Sequence, residues 1–179
     1  MSVSGIKAVL FDVFGTVVDW RSTMLIEIEA LKRNKNLGID AEAFIDSWRA
    51  AYRQGMADIR TGKMEKQPNR MVYRLALQKL LAHHDIDSLT DEDLDHFSRI
   101  DHRYQPWPDS IAGITRLKKK FITGTLSNGT SVALINMAKN VGLPWDVIFS
   151  ADLLGVHKPA SEAYLKAATL LDLEPGRIL

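Results

Sequence analysis

Three short apolar runs, each followed by small or polar residues, most constrain how this chain can fold. They span Ile6 to Phe14, Phe121 to Leu126 and Val147 to Ser150. Runs of this kind are typical of strands buried on both faces of a sheet. Because helical patterns separate them, parallel connections are the economical interpretation. The sequence therefore predicts an α/β protein with a parallel sheet.

The segment between the first two runs is predicted to be helical. It covers about 90 residues, from Trp20 to Pro108, and its apolar positions recur at helical spacing. Four helices are expected, around Met24 to Leu31, Phe44 to Ile59, Met71 to Leu81 and Leu94 to Ile100. The acidic sequence Thr90-Asp91-Glu92-Asp93 suits the amino terminus of the fourth helix. We interpret this insertion as a helical cap, from which Gln105 to Asp109 returns the chain to the core.

The composition excludes several classes of function. Lys and Arg number 23 against 22 for Asp and Glu, a near balance that gives no footprint for nucleic acid or an anionic membrane. The absence of cysteine removes disulfides, thiolate nucleophiles and cysteine metal sites, and it fits a reducing compartment. No secretory segment or apolar run of ~20 residues is recognisable. We therefore expect a soluble, cytoplasmic protein.

Asp12 is the first candidate for chemistry. It ends an apolar run, at the position where open α/β sheets place their ligands, and the turn at Gly15 lets the backbone approach a bound anion. Asp12 is therefore a candidate nucleophile. Phe14 stands where a second aspartate could protonate an alkoxide leaving group. Because a phenyl ring cannot donate a proton, the site suits a leaving group that departs as a stable anion, such as a halide.

Two later stretches carry further candidates. Ser127-Asn128-Gly129 follows the second run just before a predicted helix, where several donors could meet a carboxylate or a halide. Lys158 precedes a proline that pre-sets the next helix, and its charge can keep Asp12 ionised. Tyr164 follows six residues later, where its hydroxyl could reach the lysine or the substrate.

Each of these residues also has a structural interpretation. Asp12 could cap a turn, Phe14 could pack in the core, and Ser127 with Asn128 could cap a helix. Lys158 could lie on the surface, and Tyr164 could pack its helix on the sheet. The order of the motifs favours the functional interpretation.

The motifs together resemble the haloacid dehalogenase superfamily, and Phe14 points to its 2-haloacid dehalogenase branch. The matching pieces are Asp12-Val13-Phe14-Gly15-Thr16, Ser127-Asn128-Gly129, and Lys158-Pro159 followed by Tyr164. The resemblance implies a Rossmann-like parallel sheet core over residues 1–19 and 106–179, with an inserted helical cap subdomain over residues 20–105. It also implies hydrolysis of short (S)-2-haloacids to 2-hydroxyacids through an ester on Asp12, with inversion at the carbon. The branch needs no metal or other cofactor, its partner is the small substrate, and a homodimer is left open.

The resemblance further implies a role for each matching residue. Thr16 would orient Asp12, while Lys158 and Tyr164 would support charge. The substrate carboxylate would be held by the backbone of Val13 and Phe14 and by Ser127 and Asn128. Arg49, which follows a tryptophan as the halide-binding arginine of the branch does, would cradle the halide, and Arg53 is the alternative.

The chain also departs from the family pattern. Family members continue into a further strand and a loop that complete the site, whereas this chain stops at Arg177-Ile178-Leu179. We therefore expect a truncated sequence in which the second edge of the first strand is uncovered. His157 and Ala160 differ from the aromatic and acidic residues often found beside Lys158-Pro159. Two other functions stay open: a magnesium-dependent phosphatase, against which Phe14 argues, and a catalytically silent fragment that acts only in association.

Overall fold

The computed structural model describes residues 5–179, which form two compact units. One unit combines the residues up to Trp20 with His102–Leu179, and the other is Arg21–Asp101. We call them the sheet unit and the helical unit. That these units are the predicted core domain, over residues 1–19 and 106–179, and the predicted cap subdomain, over residues 20–105, stays a prediction.

The sheet unit contains the parallel sheet that the apolar runs predict. Its strands are β1 (Ala8–Phe11), β2 (Val18–Asp19), β3 (Gln105–Pro106), β4 (Ile122–Ser127) and β5 (Val147–Ser150). The parallel sheet has the order β1-β4-β5, with Phe11 opposite Thr125 and Ser127 opposite Ser150. The carboxyl ends of these strands therefore lie at one edge. The predicted α/β class is confirmed.

Residues 5–179 contain eight α-helices, and the first four lie where the periodicity of the insertion predicts them. Their bounds are α1 (Trp20–Lys35), α2 (Ala41–Arg60), α3 (Asn69–His83), α4 (Asp91–Ser98), α5 (Ser110–Lys118), α6 (Ser131–Val141), α7 (Ala151–Leu154) and α8 (Ser161–Leu170). Helix α4 begins with the expected capping box, in which Thr90 and Asp93 satisfy each other's backbone N–H groups. It ends at Ser98, and Ile100 lies in a following 3₁₀ turn, Ile100–His102.

Each unit has its own apolar core. In the sheet unit, Leu126 and Phe149 pack with Leu154 and Ala167 from the helices that follow β5. In the helical unit the fully buried Trp48 lies edge-on to the rings of Tyr73 and Phe97, at centroid distances of 6.0 and 6.3 Å. The Trp48 indole N–H donates to the Tyr73 carbonyl at 3.1 Å, which satisfies the polar atom of a side chain removed from water.

The side of β1 that faces away from β4 is paired, contrary to our expectation. We expected it to be uncovered, but the amides of Lys7 and Leu10 donate to the carbonyls of Arg177 and Leu179, both at 2.8 Å. Leu179 N–H returns a bond to the Ala8 carbonyl at 3.0 Å. The backbone of Ile178 is extended, at φ −117° and ψ 132°, and this conformation lets the segment pair with β1.

The short strands β2 and β3 were not predicted. They pair antiparallel, with Val18 opposite Pro106, where the chain leaves the sheet unit and where it returns. Two residues are too few to show an alternating pattern, and Pro106, in the segment that we interpreted only as the return to the core, lies within β3.

Two glycines should respond oppositely to alanine. A Cβ at Gly124, in the central strand, would lie 2.5 Å from Val147 Cγ1 and 2.8 Å from the Val147 carbonyl oxygen, whereas a Cβ at Gly113 in α5 meets no atom within 4 Å. We expect Gly124→Ala to lower the free energy of unfolding by about 1–3 kcal/mol because of overpacking. Gly113→Ala should raise it by up to about 1 kcal/mol through helix propensity. Urea unfolding of both variants gives the comparison, and an unchanged Gly124→Ala variant would contradict the strand packing described here.

Candidate active site

Asp12 lies directly after β1, in a tight turn. Gly15 adopts φ +91°, a conformation that L side chains rarely adopt, and the Val13 carbonyl accepts bonds from the amides of Thr16, Val17 and Val18. The turn brings the Thr16 hydroxyl to Asp12, and Thr16 Oγ1 donates to Asp12 Oδ2 at 3.0 Å. One carboxylate oxygen of the candidate nucleophile is thus oriented by its own loop.

The segment that returns the chain to the sheet unit also holds the turn after Asp12. Trp107 donates its backbone N–H to the Val17 carbonyl at 3.0 Å and its indole N–H to the Gly15 carbonyl at 3.3 Å. The Ser110 hydroxyl adds a bond to the Val17 carbonyl at 2.8 Å. The segment that we interpreted only as the return of the chain to the core therefore also holds the loop that carries Asp12.

Lys158 meets the second oxygen of Asp12. Its Nζ atom lies 2.8 Å from Asp12 Oδ1. The lysine side chain is 19% exposed and the aspartate side chain 44%, so the aliphatic stem is mostly covered while the carboxylate is open to solvent. The structure therefore brings together Asp12, Thr16 and Lys158, three of the four predicted catalytic residues. A carboxylate that is held on both oxygens and still open to solvent is suited to act as a nucleophile, and this role of Asp12 stays a prediction.

The loop after β4 lies against the same site. Ser127 is buried and its hydroxyl accepts the Gly129 N–H at 3.2 Å, while Thr130 caps α6 by accepting from Ala133 N–H at 3.4 Å. The cap is thus Thr130, and the interpretation of Ser127 and Asn128 as the helix cap is wrong. The Asn128 side chain bonds to the backbone of Lys158 instead. That Ser127 and Asn128 bind a substrate stays a prediction.

Phe14 is held by two contacts. Its ring lies edge-on to the fully buried Tyr104, with centroids 5.9 Å apart. A Cβ at Gly129 would stand 2.5 Å from Phe14 Cε2, so the ring presses against the loop backbone. Gly129 does not have a positive φ, and its glycine is explained by this close approach. An apolar ring, fixed in place, therefore occupies the position two residues after the nucleophile.

Asp152 is a site-supporting residue that the sequence interpretation missed. It lies in the first turn of α7, after β5, and its carboxylate accepts bonds from the Ser131 N–H at 2.9 Å, the Ser131 hydroxyl at 2.7 Å and the Ser150 hydroxyl. Burial alone would raise the pKa of Asp152, but these hydrogen bonds outweigh it and hold the pKa below its ordinary value. Asp152 therefore joins the end of β5 to the start of α6.

Tyr164 is the predicted catalytic residue with the least support. Its side chain on α8 is 50% exposed, and among residues 5–179 no hydrogen bond to its hydroxyl is found. The expected reach to Lys158 is not formed in this structure. A contribution of Tyr164 to the reaction stays a prediction.

Arg49 is an anchored arginine within the helical unit. Its Nη1 atom donates to the Tyr73 hydroxyl at 3.0 Å, and its guanidinium carbon lies 5.9 Å from the centre of the Tyr52 ring. Tyr52 stacks on Tyr73 at 4.1 Å, and burial, with the nearby charge of Asp101, raises the pKa of Tyr52 to about 12. Arg49 therefore differs from a solvated surface arginine, while its assignment to a halide stays a prediction.

Among residues 5–179, no group of three or more histidine, aspartate or glutamate side chains is arranged to hold a metal ion. Within the same part of the chain, no helix combines the length and the apolar composition that crossing a membrane requires.

Comparisons with known proteins point to one family. A family model described as haloacid dehalogenase-like hydrolase matches residues 6–179. A comparison with curated protein sequences gave no match.

Solved structures similar to this chain include several L-2-haloacid dehalogenases. The defluorinating enzyme Rha0230 is 41% identical, with a TM-score of 0.87 over 97% of this chain and 71% of that one. The L-2-haloacid dehalogenase PA0810 is 37% identical, with a TM-score of 0.88 over 97% and 74%. The enzyme of Xanthobacter autotrophicus is 25% identical, with a TM-score of 0.77 over 97% and 68%.

The contacts of Asp152 predict a pH-dependent contribution to stability. Because its pKa is lower in the folded state, the contribution is complete above the ordinary value of 3.8 and is lost as the pH falls through the lowered value. The difference in unfolding free energy between wild type and Asp152→Asn should therefore be largest near neutral pH and shrink below 3.8. Urea unfolding at several pH values measures it. Asp109→Asn, at an exposed aspartate without a capping bond, is the control, and a pH-independent difference for Asp152→Asn would contradict the prediction.

Proposed function

This chain belongs to the haloacid dehalogenase-like hydrolases, and we propose that it hydrolyses short 2-haloacids to 2-hydroxyacids. The observation that carries the proposal is the set of contacts around the Asp12 carboxylate. Thr16 holds one carboxylate oxygen, Lys158 holds the other, and the apolar ring of Phe14 stands two residues on. The identity of 41% and 37% to two L-2-haloacid dehalogenases supports the same substrate class.

The first step is a displacement at the carbon that bears the halogen. A carboxylate oxygen of Asp12 forms a bond to this carbon while the carbon–halogen bond breaks, and the halide leaves with the bonding electrons. The product is an ester between Asp12 and the substrate, with inverted configuration at the carbon. The bond from Lys158 supports this step because it holds one carboxylate oxygen in a fixed orientation while the carboxylate stays open to solvent.

The second step is hydrolysis of the ester. Water attacks the carbonyl carbon of the Asp12 ester, the 2-hydroxyacid leaves with the original aspartate oxygen, and one oxygen of water remains in Asp12. Overall, a 2-haloacid and water give a 2-hydroxyacid, a halide ion and a proton. The enzyme is returned with its carboxylate ionised.

Phe14 supports a halide as the leaving group. An alkoxide leaves as a strong base and needs a proton from a neighbouring acid, whereas a halide ion is stable without one. A phenylalanine fixed between Tyr104 and Gly129 supplies no proton. The position therefore favours carbon–halogen chemistry over the hydrolysis of phosphate esters.

The remaining assignments belong to the same proposal. The backbone of Val13 and Phe14, together with Ser127, would hold the substrate carboxylate, Arg49 would receive the halide, and Tyr164 would support charge. Ser127 is buried at the end of β4, at the same carboxyl-terminal edge of the sheet as Asp12, and this position supports its role. We also place the reaction in the cytoplasm, in agreement with a sequence that contains no cysteine.

Halide release tests the proposal directly. We expect the full chain to release chloride from (S)-2-chloropropionate without added metal, and Asp12→Asn to lower the rate on the order of 10³-fold or more, because it removes the nucleophile. Asp109→Asn is the matched control at an exposed aspartate and should retain the wild-type rate. Chloride is measured by ion chromatography.

Isotope labelling tests the intermediate. After a single turnover in H₂¹⁸O, mass spectrometry of the peptide that contains Asp12 should find the heavy oxygen in that residue. Labelled hydroxyacid together with an unlabelled Asp12 would rule out the ester. A folded protein that releases no chloride but hydrolyses p-nitrophenyl phosphate in a chelator-sensitive manner would replace the proposal with the phosphatase alternative.

A further inference from the structure

Asn128 and Lys158 are joined by a pair of hydrogen bonds between one side chain and one backbone. The Lys158 N–H donates to Asn128 Oδ1 at 2.7 Å, and Asn128 Nδ2 donates to the Lys158 carbonyl at 3.0 Å. A backbone N–H can only donate and a carbonyl can only accept, so the partners themselves fix which way the amide points. Both ends of the Asn128 amide are thus directed at the lysine backbone.

We propose that Asn128 is a positioning residue that sets Lys158 against Asp12. The inference rests on the proposed function in so far as Lys158 serves the reaction there. It adds a second role to the one implied by the family resemblance, which gave Asn128 to the substrate carboxylate.

The reason lies in the length of the lysine side chain. A lysine has a flexible four-carbon stem, and holding its amine at one point costs conformational entropy. In this structure the amine is fixed to Asp12 at 2.8 Å, and the backbone from which the stem starts is fixed by Asn128. The stem is thereby tied at both ends. Loss of the Asn128 bonds would free the backbone end and loosen the ion pair.

Asn128 is itself held in place by its neighbours. Asn128 lies between the buried Ser127 at the end of β4 and the cap of α6, where Asp152 holds Ser131. The bonds from Asn128 therefore transmit the position of the sheet edge to the loop that carries Lys158. An aspartate could accept the Lys158 N–H but could not donate to its carbonyl, so the pair requires an amide.

Chemical labelling of Lys158 tests the proposal without any substrate. The full-length wild type, Asn128→Ala, Asn140→Ala and Asp12→Asn are treated with limiting acetic anhydride, and the acetylation rate of each lysine is read by mass spectrometry. Asn140 is an exposed asparagine on α6 and serves as the matched control. We expect Asn128→Ala and Asp12→Asn to raise the rate at Lys158 several-fold while the rate at Lys139 is unchanged, and Asn140→Ala to match the wild type. An unchanged Lys158 rate in Asn128→Ala would overturn the proposal.

Amide hydrogen exchange of the wild type gives a second measurement that does not depend on how the variant folds. The Lys158 N–H should be protected because it is bonded to a side chain of another segment. Exchange at the rate of an unprotected amide would overturn the two-point contact.

Kinetics separate positioning from binding. In a protein that releases halide, Asn128→Ala should lower kcat by about 10- to 100-fold through misplacement of the lysine, with little change in KM. A raised KM at unchanged kcat would identify Asn128 as a substrate ligand without a positioning role and overturn the proposal. Absence of halide release by the wild type would instead remove the proposed function, while labelling and exchange would still decide the role of Asn128.

Discussion

The parallel direction of β1, β4 and β5 is the constraint on which the candidate site depends. Only parallel strands bring Asp12, Ser127 and Ser150 to the same edge, although up to 138 positions separate them along the chain. The sheet sets where each loop begins, and the side chains on these loops make the contacts of the candidate site. A single reversed strand would carry its polar end to the opposite side of the molecule.

Electrostatics at this edge are built from a few short contacts. Asp12 is an exposed carboxylate whose two oxygens have different partners, a hydroxyl and an ammonium group. The hydroxyl is local, four residues away, whereas the lysine comes from a distant loop and depends on Asn128 and on the sheet. The orientation of the carboxylate therefore depends on both its own turn and the tertiary fold, and a change in either part would alter the orientation of the same carboxylate.

The sequence predicted the elements well where a pattern had room to repeat. Strands buried on both faces show as apolar runs, helices of two or more turns show their period, and the ends of parallel strands bring Asp12 and Lys158 together by topology. Tyr104 and Asp152 escaped prediction because their roles depend on contacts between distant segments, Tyr104 with Phe14 and Asp152 with Ser131. The pairing of the last residues with β1 escaped because two extended residues carry no period.

The close approach of Gly129 to the ring of Phe14 couples two distant positions in evolution. Any side chain at residue 129 would collide with a phenyl ring that Tyr104 keeps from retreating, so glycine there is obligatory only while residue 14 remains large. A lineage that exchanged Phe14 for a smaller, acidic side chain would relieve this restriction at once. The two positions are thus epistatic, because a side chain at residue 129 fits only after residue 14 has become smaller.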